Sequence, residues 1–451
     1  MNQPINKAFT AVDFALRSPV VLGIAAIVLL TAPIVLIATL WATLAMFGIS
    51  LGEILKSFLS RQFGFSLLMM GLSLFLIIHL CAACILAERK LSAFTQDRRG
   101  PNRVGFWGIL QPIADGIKFI LKEEIIPTHV DKPIYLLAPA MAFLIALTTF
   151  AVIPWAGEIT WPWTIDGVQP TVTTQVASLD IGLLYILAVG SMSVYGVVLA
   201  GWSSNNKYSF YGGMRAAAQM LSYEVPLGLG LLTLLLVAGS LRPEVMVQQQ
   251  AESGVWNIFL HPLAFVLVLT SALAECNRAP FDLAECEQEL IGGFHTEYSA
   301  MKFAMFFLAE YSHMIVAAAL LTTVFLGGWA PLPFVGWLAH TDTWWAALLK
   351  FGVFWGKVCT LVLFFMLIRW TLPRFRFDQL MRLAWKAMAP AGMLLVVLTG
   401  ALAAFGAQRN FAYSFTINVV ALLAALAFAA FSKSPVTGRQ ENLPDVRVRP
   451  A

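Results

Sequence analysis

Charge is the scarcest resource in this sequence. Only 12% of its 451 residues are Asp, Glu, Lys or Arg, about half the share usual in soluble domains, and 59% are hydrophobic. That balance excludes a soluble enzyme and predicts an all-α polytopic membrane protein, because helices satisfy their own backbone groups in lipid. The net charge of +4 is small. The basic residues are scattered among acids, which excludes a nucleic-acid surface.

Ligand motifs are also missing. The five cysteines, Cys81, Cys84, Cys276, Cys286 and Cys359, have neither zinc nor iron–sulfur spacing. Cys81 and Cys84 form a C-x-x-C inside an apolar run, where two small core residues are the plain reading. No two histidines fall four apart, no P-loop occurs, and the Gly228/Gly230 pair lies within a span. The expectation is a chain with no metal and no prosthetic group of its own. The first apolar run is too long for the core of a cleavable signal, and there is no 20–50 residue repeat.

What is present is a series of long apolar segments. Each span needs about 20 apolar residues. Ten are predicted, over 20–48, 66–87, 133–153, 178–201, 217–240, 257–274, 301–327, 346–370, 388–406 and 411–432. The loops they leave put 23 Lys and Arg on one side and five, Lys56, Arg61, Arg242, Lys350 and Arg409, on the other. By the positive-inside rule both termini are expected in the cytoplasm. Trp155, Trp161 and Trp163 fall on the other side, as an interfacial aromatic belt would. The polar tail 433–451 reads as disordered.

Three polar groups break the apolar pattern. The first is the stretch AERKLSAFTQDRRGPNRVGFWGILQPIADGIKFILKEE, from Ala87 to Glu124. It reads as a charged loop followed by an amphipathic interfacial helix over 106–124, since Phe106, Ile109, Ile113, Ile117 and Ile120 recur at helical spacing. That helix is either a simple membrane anchor or the border of a binding chamber. The second is ECNRAPFDLAECEQELIGGFHTE, from Glu275 to Glu297, with six acids against Arg278. A helix beginning after Pro280 would be capped by Asp282, with Glu285 in capping-box position and Glu289 on the same face. An acidic loop on the positive side is either a solvated loop or part of a proton path or docking surface. The third is charge inside spans: Glu224 just before Pro226, Glu310 and His313 three apart, and Lys357. Each such charge costs roughly 2.5–3.5 kcal/mol on insertion scales, so these residues face the bundle interior, as a proton pathway or as structural ion pairs.

These stretches resemble the NuoH family, the H subunit of respiratory complex I. The stretch AERKLSAFTQDRRGPNRVGFWGILQPIADGIKFILKE is similar to the family's first large loop. GWSSNNKYSFYGGMRAAAQMLSYEVPL, NRAPFDLAECEQELIGGFHTEYSAMKFAMFFLAEY and RWTLPRFRFDQLMRLAWK are similar to its later signatures, in the same order. The resemblance covers about 66–406. It implies an eight-span membrane subunit of an NADH–quinone oxidoreductase, sited between the hydrophilic and proton-pumping arms. Quinone is its substrate, and FMN and the iron–sulfur clusters are held by partner subunits. It also implies a cytoplasmic (inner) membrane location, with peripheral-arm, small and antiporter-like membrane subunits as neighbours.

Carried over by position, Glu88, Arg89, Lys90, Arg278, Asp282, Glu285, Glu287 and Glu289 would border the quinone chamber or its entrance. Glu224, Glu310, His313 and Lys357 would belong to the proton path, and Arg98, Arg99 and Arg103 to the arm interface. Two departures stand out. Ala284 replaces a proline found in many members, and Cys286 a small residue. The chain also adds a span at each end, dividing it into an extension 1–65, a core 66–406 and a tail 407–451. An energy-converting hydrogenase subunit, a secondary transporter and an inert scaffold are the competing readings.

Overall fold

A computed structural model describes residues 56, 58–164, 167, 169–284, 287–331, 341–406 and 411–431. The described residues are mostly helical. Among the described residues, seven helices are long and apolar enough to cross a membrane. They are α1 (Gln62–Thr95), α3 (Lys132–Thr148, prolonged by a tight turn to Val152), the pair α4 (Gly182–Ser191) and α5 (Ser193–Ser203), α6 (Lys207–Ala238), α11 (Ala300–Phe325), α12 (Trp344–Thr371) and the stretch Phe377–Ala404. The last comprises α13 (Phe377–Arg382), one π-helical turn and α14 (Ala389–Ala404). Between these lie the interfacial α2 (Gln111–Leu121), α7 (Pro243–Ser253), the short α8 (Asn257–Leu260), α9 (Pro262–Glu275) and α10 (Glu287–Leu290). The last described helix is α15 (Phe411–Phe431). The predicted span 20–48 and the tail 433–451 lie outside the described residues.

Helix α11 is the hub. In it 72% of the apolar stretch is buried, against 28–50% in the other six. Large side chains on the outer helices, such as Leu67, Phe75 and Ile78 of α1, remain exposed, as lipid-facing positions should. Lipid removes the usual hydrophobic drive between helices, so close backbone approach holds them together. A Cβ on Gly196 of α5 would come within 2.9 Å of Ala142 on α3, and one on Gly212 of α6 within 2.7 Å of the Gly293 backbone.

Several boundaries differ from those the sequence predicts. Helix α1 does not stop at 87 but runs to Thr95, so Glu88, Arg89 and Lys90 ride on a helix rather than a loop. Helix α6 starts at Lys207, ten residues before the apolar run, because Asn206 caps it by accepting from the Tyr208 N–H at 3.0 Å. The interfacial helix begins at Gln111 behind a separate tight turn at Phe106–Gly108, where Trp107 adopts φ 55°. Residues 281–284 are not helical, and helix is next described at Glu287–Leu290, so Asp282 does not cap a helix there. Trp155 is core, not belt: it is 1% exposed and packs edge-on against Trp355 at 5.2 Å. The loop carrying it is ordered by a two-stranded hairpin, β1 (Glu158–Thr160) and β2 (Thr171–Thr173).

Candidate functional site: a buried charge cluster at one end of the bundle

The last turns of α1, α9 and α12 meet the first half of α11, and their polar residues converge there. Glu88 is buried at the centre. Its carboxylate accepts from Tyr311 Oη at 2.6 Å and from Arg278 Nη1 at 3.2 Å, and it forms an ion pair with Arg369. Arg278 also reaches Glu310, with Nη2 to Oε2 at 3.8 Å, and its guanidinium lies 4.2 Å over the Tyr311 ring. Two carboxylates and two guanidiniums therefore share one largely desolvated site. There, breaking a pair costs far more than its net contribution to stability.

The backbone that presents Arg278 is fixed from behind. Gln219 of α6 donates through Nε2 to the carbonyls of Ala274 (2.8 Å) and Phe281 (2.7 Å) and to Asn277 Oδ1 (3.2 Å). Those three contacts hold the turn between α9 and the acidic loop. Tyr223 reaches the Leu380 carbonyl at 3.0 Å and brings α13 to the same end.

Next to the cluster, Asp282 accepts from Arg374 Nη2 at 2.9 Å. Burial pushes its carboxyl up to about 6, with the Arg374 guanidinium pulling the other way. Glu289 pairs with Arg215 at 2.5 Å. Glu287 lies in α10, and Glu285 and Cys286 fall outside the described residues.

Inward along the bundle, Glu310 and His313 line one small cavity together with Glu275. Glu275 and His313 line a second, with Gly190. Glu275 Oε1 sits 3.4 Å from the place a Cβ on Gly190 would take, so a bare backbone there makes room for the carboxylate. Glu224 on α6 lies close enough to Glu275 to interact with it electrostatically and is within hydrogen-bonding reach of Ser191. A broken line of polar groups thus runs from Glu88 through Arg278, Glu310 and His313 to Glu275 and Glu224.

Lys357 is not on that line. Its ammonium donates to the carbonyls of Leu326 (2.7 Å), Gly328 (3.0 Å) and Ala330 (2.5 Å), at the opposite end of α11. This is a helix C-terminus held by a cation.

On the outer side of α1, Arg89 bonds Asp115 at 2.5 Å and so ties α1 to the interfacial helix, with Lys118 on the same carboxylate at 3.1 Å. Lys90 lies 5.5 Å over the Trp107 ring. With Phe94, Arg99, Gly100 and Asn102 these two line an open cleft of about 510 Å³. The face of α2 nearby is apolar and exposed, Ile120 being 69% accessible and Ile113 38%. Arg98 bonds Gln96 at 2.7 Å, and both Arg98 and Arg103 are exposed.

Sequence reasoning assigned no role to Arg369, Tyr311 and Gln219, all central here. Their signal was weak but readable: each is a polar residue at or inside the end of an apolar run. Among the described residues no three His, Cys, Asp or Glu side chains converge as a metal site.

The family model described as NADH dehydrogenase matches residues 66–400. Three relatives, each named as an H subunit of NADH-quinone oxidoreductase, are similar along most of their length. That of Leptospira biflexa is 49% identical over 332 residues, covering 72% of this chain and 91% of its own. The first of two such proteins from Geobacter sulfurreducens is 48% identical over 320 residues (70% and 88%), and one from Cytophaga hutchinsonii 46% over 315 (70% and 90%).

Proposed function

This chain belongs to the family of H subunits of NADH-quinone oxidoreductase, and we propose on that premise that it forms the quinone chamber with its neighbours and couples quinone reduction to proton translocation. It is a multi-pass membrane subunit of a multi-subunit oxidoreductase, with no turnover expected of the isolated chain. The names of the relatives favour this over a hydrogenase subunit or a transporter.

The observation that carries the reading is the convergence of Glu88, Arg278, Arg369, Glu310 and Tyr311 inside the bundle, with the Lys90–Trp107 cleft on the outer side of the same helix α1. In this proposal a tailed quinone enters past the apolar face of α2, and Glu88, Arg89 and Lys90 border its entrance. Reduction of the quinone takes up protons and changes the charge in the chamber. Arg278 answers that change because it is shared between Glu88 and Glu310, so weakening one pair strengthens the other. Asp282, Glu285, Glu287 and Glu289 line the chamber-side loop, and Glu310, His313, Glu275 and Glu224 continue the path inward. Lys357 steadies the far end of α11.

Electrons reach the quinone from iron–sulfur clusters and FMN on peripheral-arm subunits, which dock through Arg98, Arg99 and Arg103. Small and antiporter-like membrane subunits flank the chain. The membrane is the bacterial cytoplasmic (inner) membrane, with both termini in the cytoplasm. Residues 66–406 are the family core, and 1–65 and 407–451 are additions to it.

A photoreactive azidoquinone with an isoprenoid tail, illuminated in membranes containing the assembled complex, tests the chamber. The expected result is label on the segments 88–110 or 278–311, competed by excess quinone. Label confined to other subunits would remove this chain from the chamber.

A further inference from the structure

Gln219 of α6 is fully buried, and its side-chain amide meets three oxygens at once. They are the Ala274 carbonyl at 2.8 Å, the Phe281 carbonyl at 2.7 Å and Asn277 Oδ1 at 3.2 Å. A carbonyl oxygen only accepts, so the atom among them is the NH₂ end of the amide; reversed, it would set oxygen against oxygen. These acceptors bracket Arg278, two before it in the chain and one after.

The bracketed turn is tight. Helix α9 ends at Glu275, the Asn277 N–H donates back to the Ala274 carbonyl at 3.3 Å, and the Phe281 N–H donates to the Arg278 carbonyl at 2.8 Å. Asn277, directly before Arg278, takes φ 50°. That left-handed region is visited readily by glycine and only occasionally by Asn or Asp. Such a conformation persists where its surroundings over-determine it. Here Asn277 Oδ1 accepts from Gln219, and its Nδ2 lies 3.6 Å from the sulfur of Met220, the next residue of α6.

The same helix fixes the far side of the turn. Tyr223, one turn beyond Gln219, packs its ring 5.8 Å from Phe281, which stacks on Phe375 at 5.6 Å. The Phe375 N–H donates to the Pro280 carbonyl at 3.4 Å. Phe375 follows α12, which carries Arg369, the other guanidinium on Glu88. Helix α6 thus sets the Arg278 turn against Glu88 and Arg369 together.

We propose that Gln219 is the positioning residue for Arg278. Its amide fixes the backbone on both sides of the guanidinium and so sets how Arg278 divides itself between Glu88, at 3.2 Å, and Glu310, at 3.8 Å. With distances this close, a small shift of the turn favours one carboxylate over the other, and a misplacement of about 1 Å can cost on the order of a hundredfold in rate. The proposal rests on the reading that Arg278 takes part in turnover.

The test is a double-variant cycle. Gln219→Met keeps the length and bulk of the side chain and removes its donors. NADH–quinone reductase turnover is measured in membranes holding the assembled complex for Gln219→Met, Arg278→Ala and the two combined, with assembly followed on a native gel. The expected result is a roughly tenfold loss for Gln219→Met and a double variant no worse than Arg278→Ala alone, because the amide acts through that guanidinium. Gln219→Asn keeps the amide but withdraws it by one methylene; it should show the same loss and serves if methionine prevents assembly. Losses that multiply in the double variant, to about a hundredfold, would mark Gln219 as a general packing residue and overturn the proposal. Full turnover in assembled Gln219→Met beside an impaired Arg278→Ala would overturn the positioning role alone. Full turnover in Arg278→Ala would remove the reading beneath it, and the role with it.

Discussion

Arg278 faces Glu88 and Glu310 at once while stacking on Tyr311, and it makes these contacts across 190 residues of sequence from Glu88. Composition alone marks such residues as consequential, because charge is so rare in the chain. The motif stretches around Glu88 and Arg278 were legible for the same reason. Their meeting was not, since periodicity says nothing about which helix ends pack together. Asp282 is a sharper case: the spacing around Pro280 fits a cap, yet the residue pairs with Arg374 in a non-helical loop. Its carboxyl is raised to about 6 by burial, whereas an unfolded chain would hold it near 3.9. Between those values the native state binds the extra proton, so stability falls as pH rises through that window. Above about pH 6 the residue is a carboxylate paired with Arg374; below it the carboxyl is neutral while Arg374 keeps its charge. Quinone reductase turnover should therefore show an acid limb near pH 6 that Asp282→Asn removes. A profile unchanged in that variant would take Asp282 out of the working loop.

Among the elements, existence was easier to read than extent. Nine of the ten apolar segments appear as helices among the described residues, but α1 and α6 overrun their apolar stretches by several polar residues. Caps and tertiary partners, not hydropathy, decide those ends. Helix α9 is short, and α15 repairs its entry: Asn418 Nδ2 donates to the Leu260 carbonyl at 3.4 Å and lies 3.0 Å from His261 Nδ1. Asn418 and His261 are each 1% exposed. Helix α15 is thus bonded to the start of α9 along one face, while Tyr413, Val420 and Leu423 stay exposed on the other. Asn418→Leu should destabilise the chain by about 1 kcal/mol, the scale of a polar contact between membrane helices. The readout is a lower thermal midpoint of the detergent-solubilised complex. An unchanged midpoint would reduce α15 to a lipid-facing appendage.

On the scale of the whole molecule, the chain is a helical bundle with two polar ends of different kinds. One end gathers cations and carboxylates into a buried cluster around Glu88; the other holds a cavity lined by Glu158, Glu244, Glu252 and Asp342. Lys357 illustrates how placement changes a reading. As a lysine inside a span it looked like a member of the charge path, yet it holds three carbonyls at the end of α11 remote from that path. The three-residue spacing of Glu310 and His313, by contrast, put them on one face, and they do line one cavity. Local spacing carried that inference, and only packing could place Lys357.

Arg278 is expected to work as the shared partner of Glu88 and Glu310 during turnover. NADH–quinone reductase activity and proton pumping, measured together in membrane vesicles carrying Arg278→Ala or Arg278→Lys, test it most directly, with assembly followed on a native gel. Alanine should lower both activities at least roughly tenfold, since removing one partner strands buried carboxylates, and lysine should retain part of them, with the complex assembled in each. Full turnover and pumping in assembled Arg278→Ala complex would contradict it.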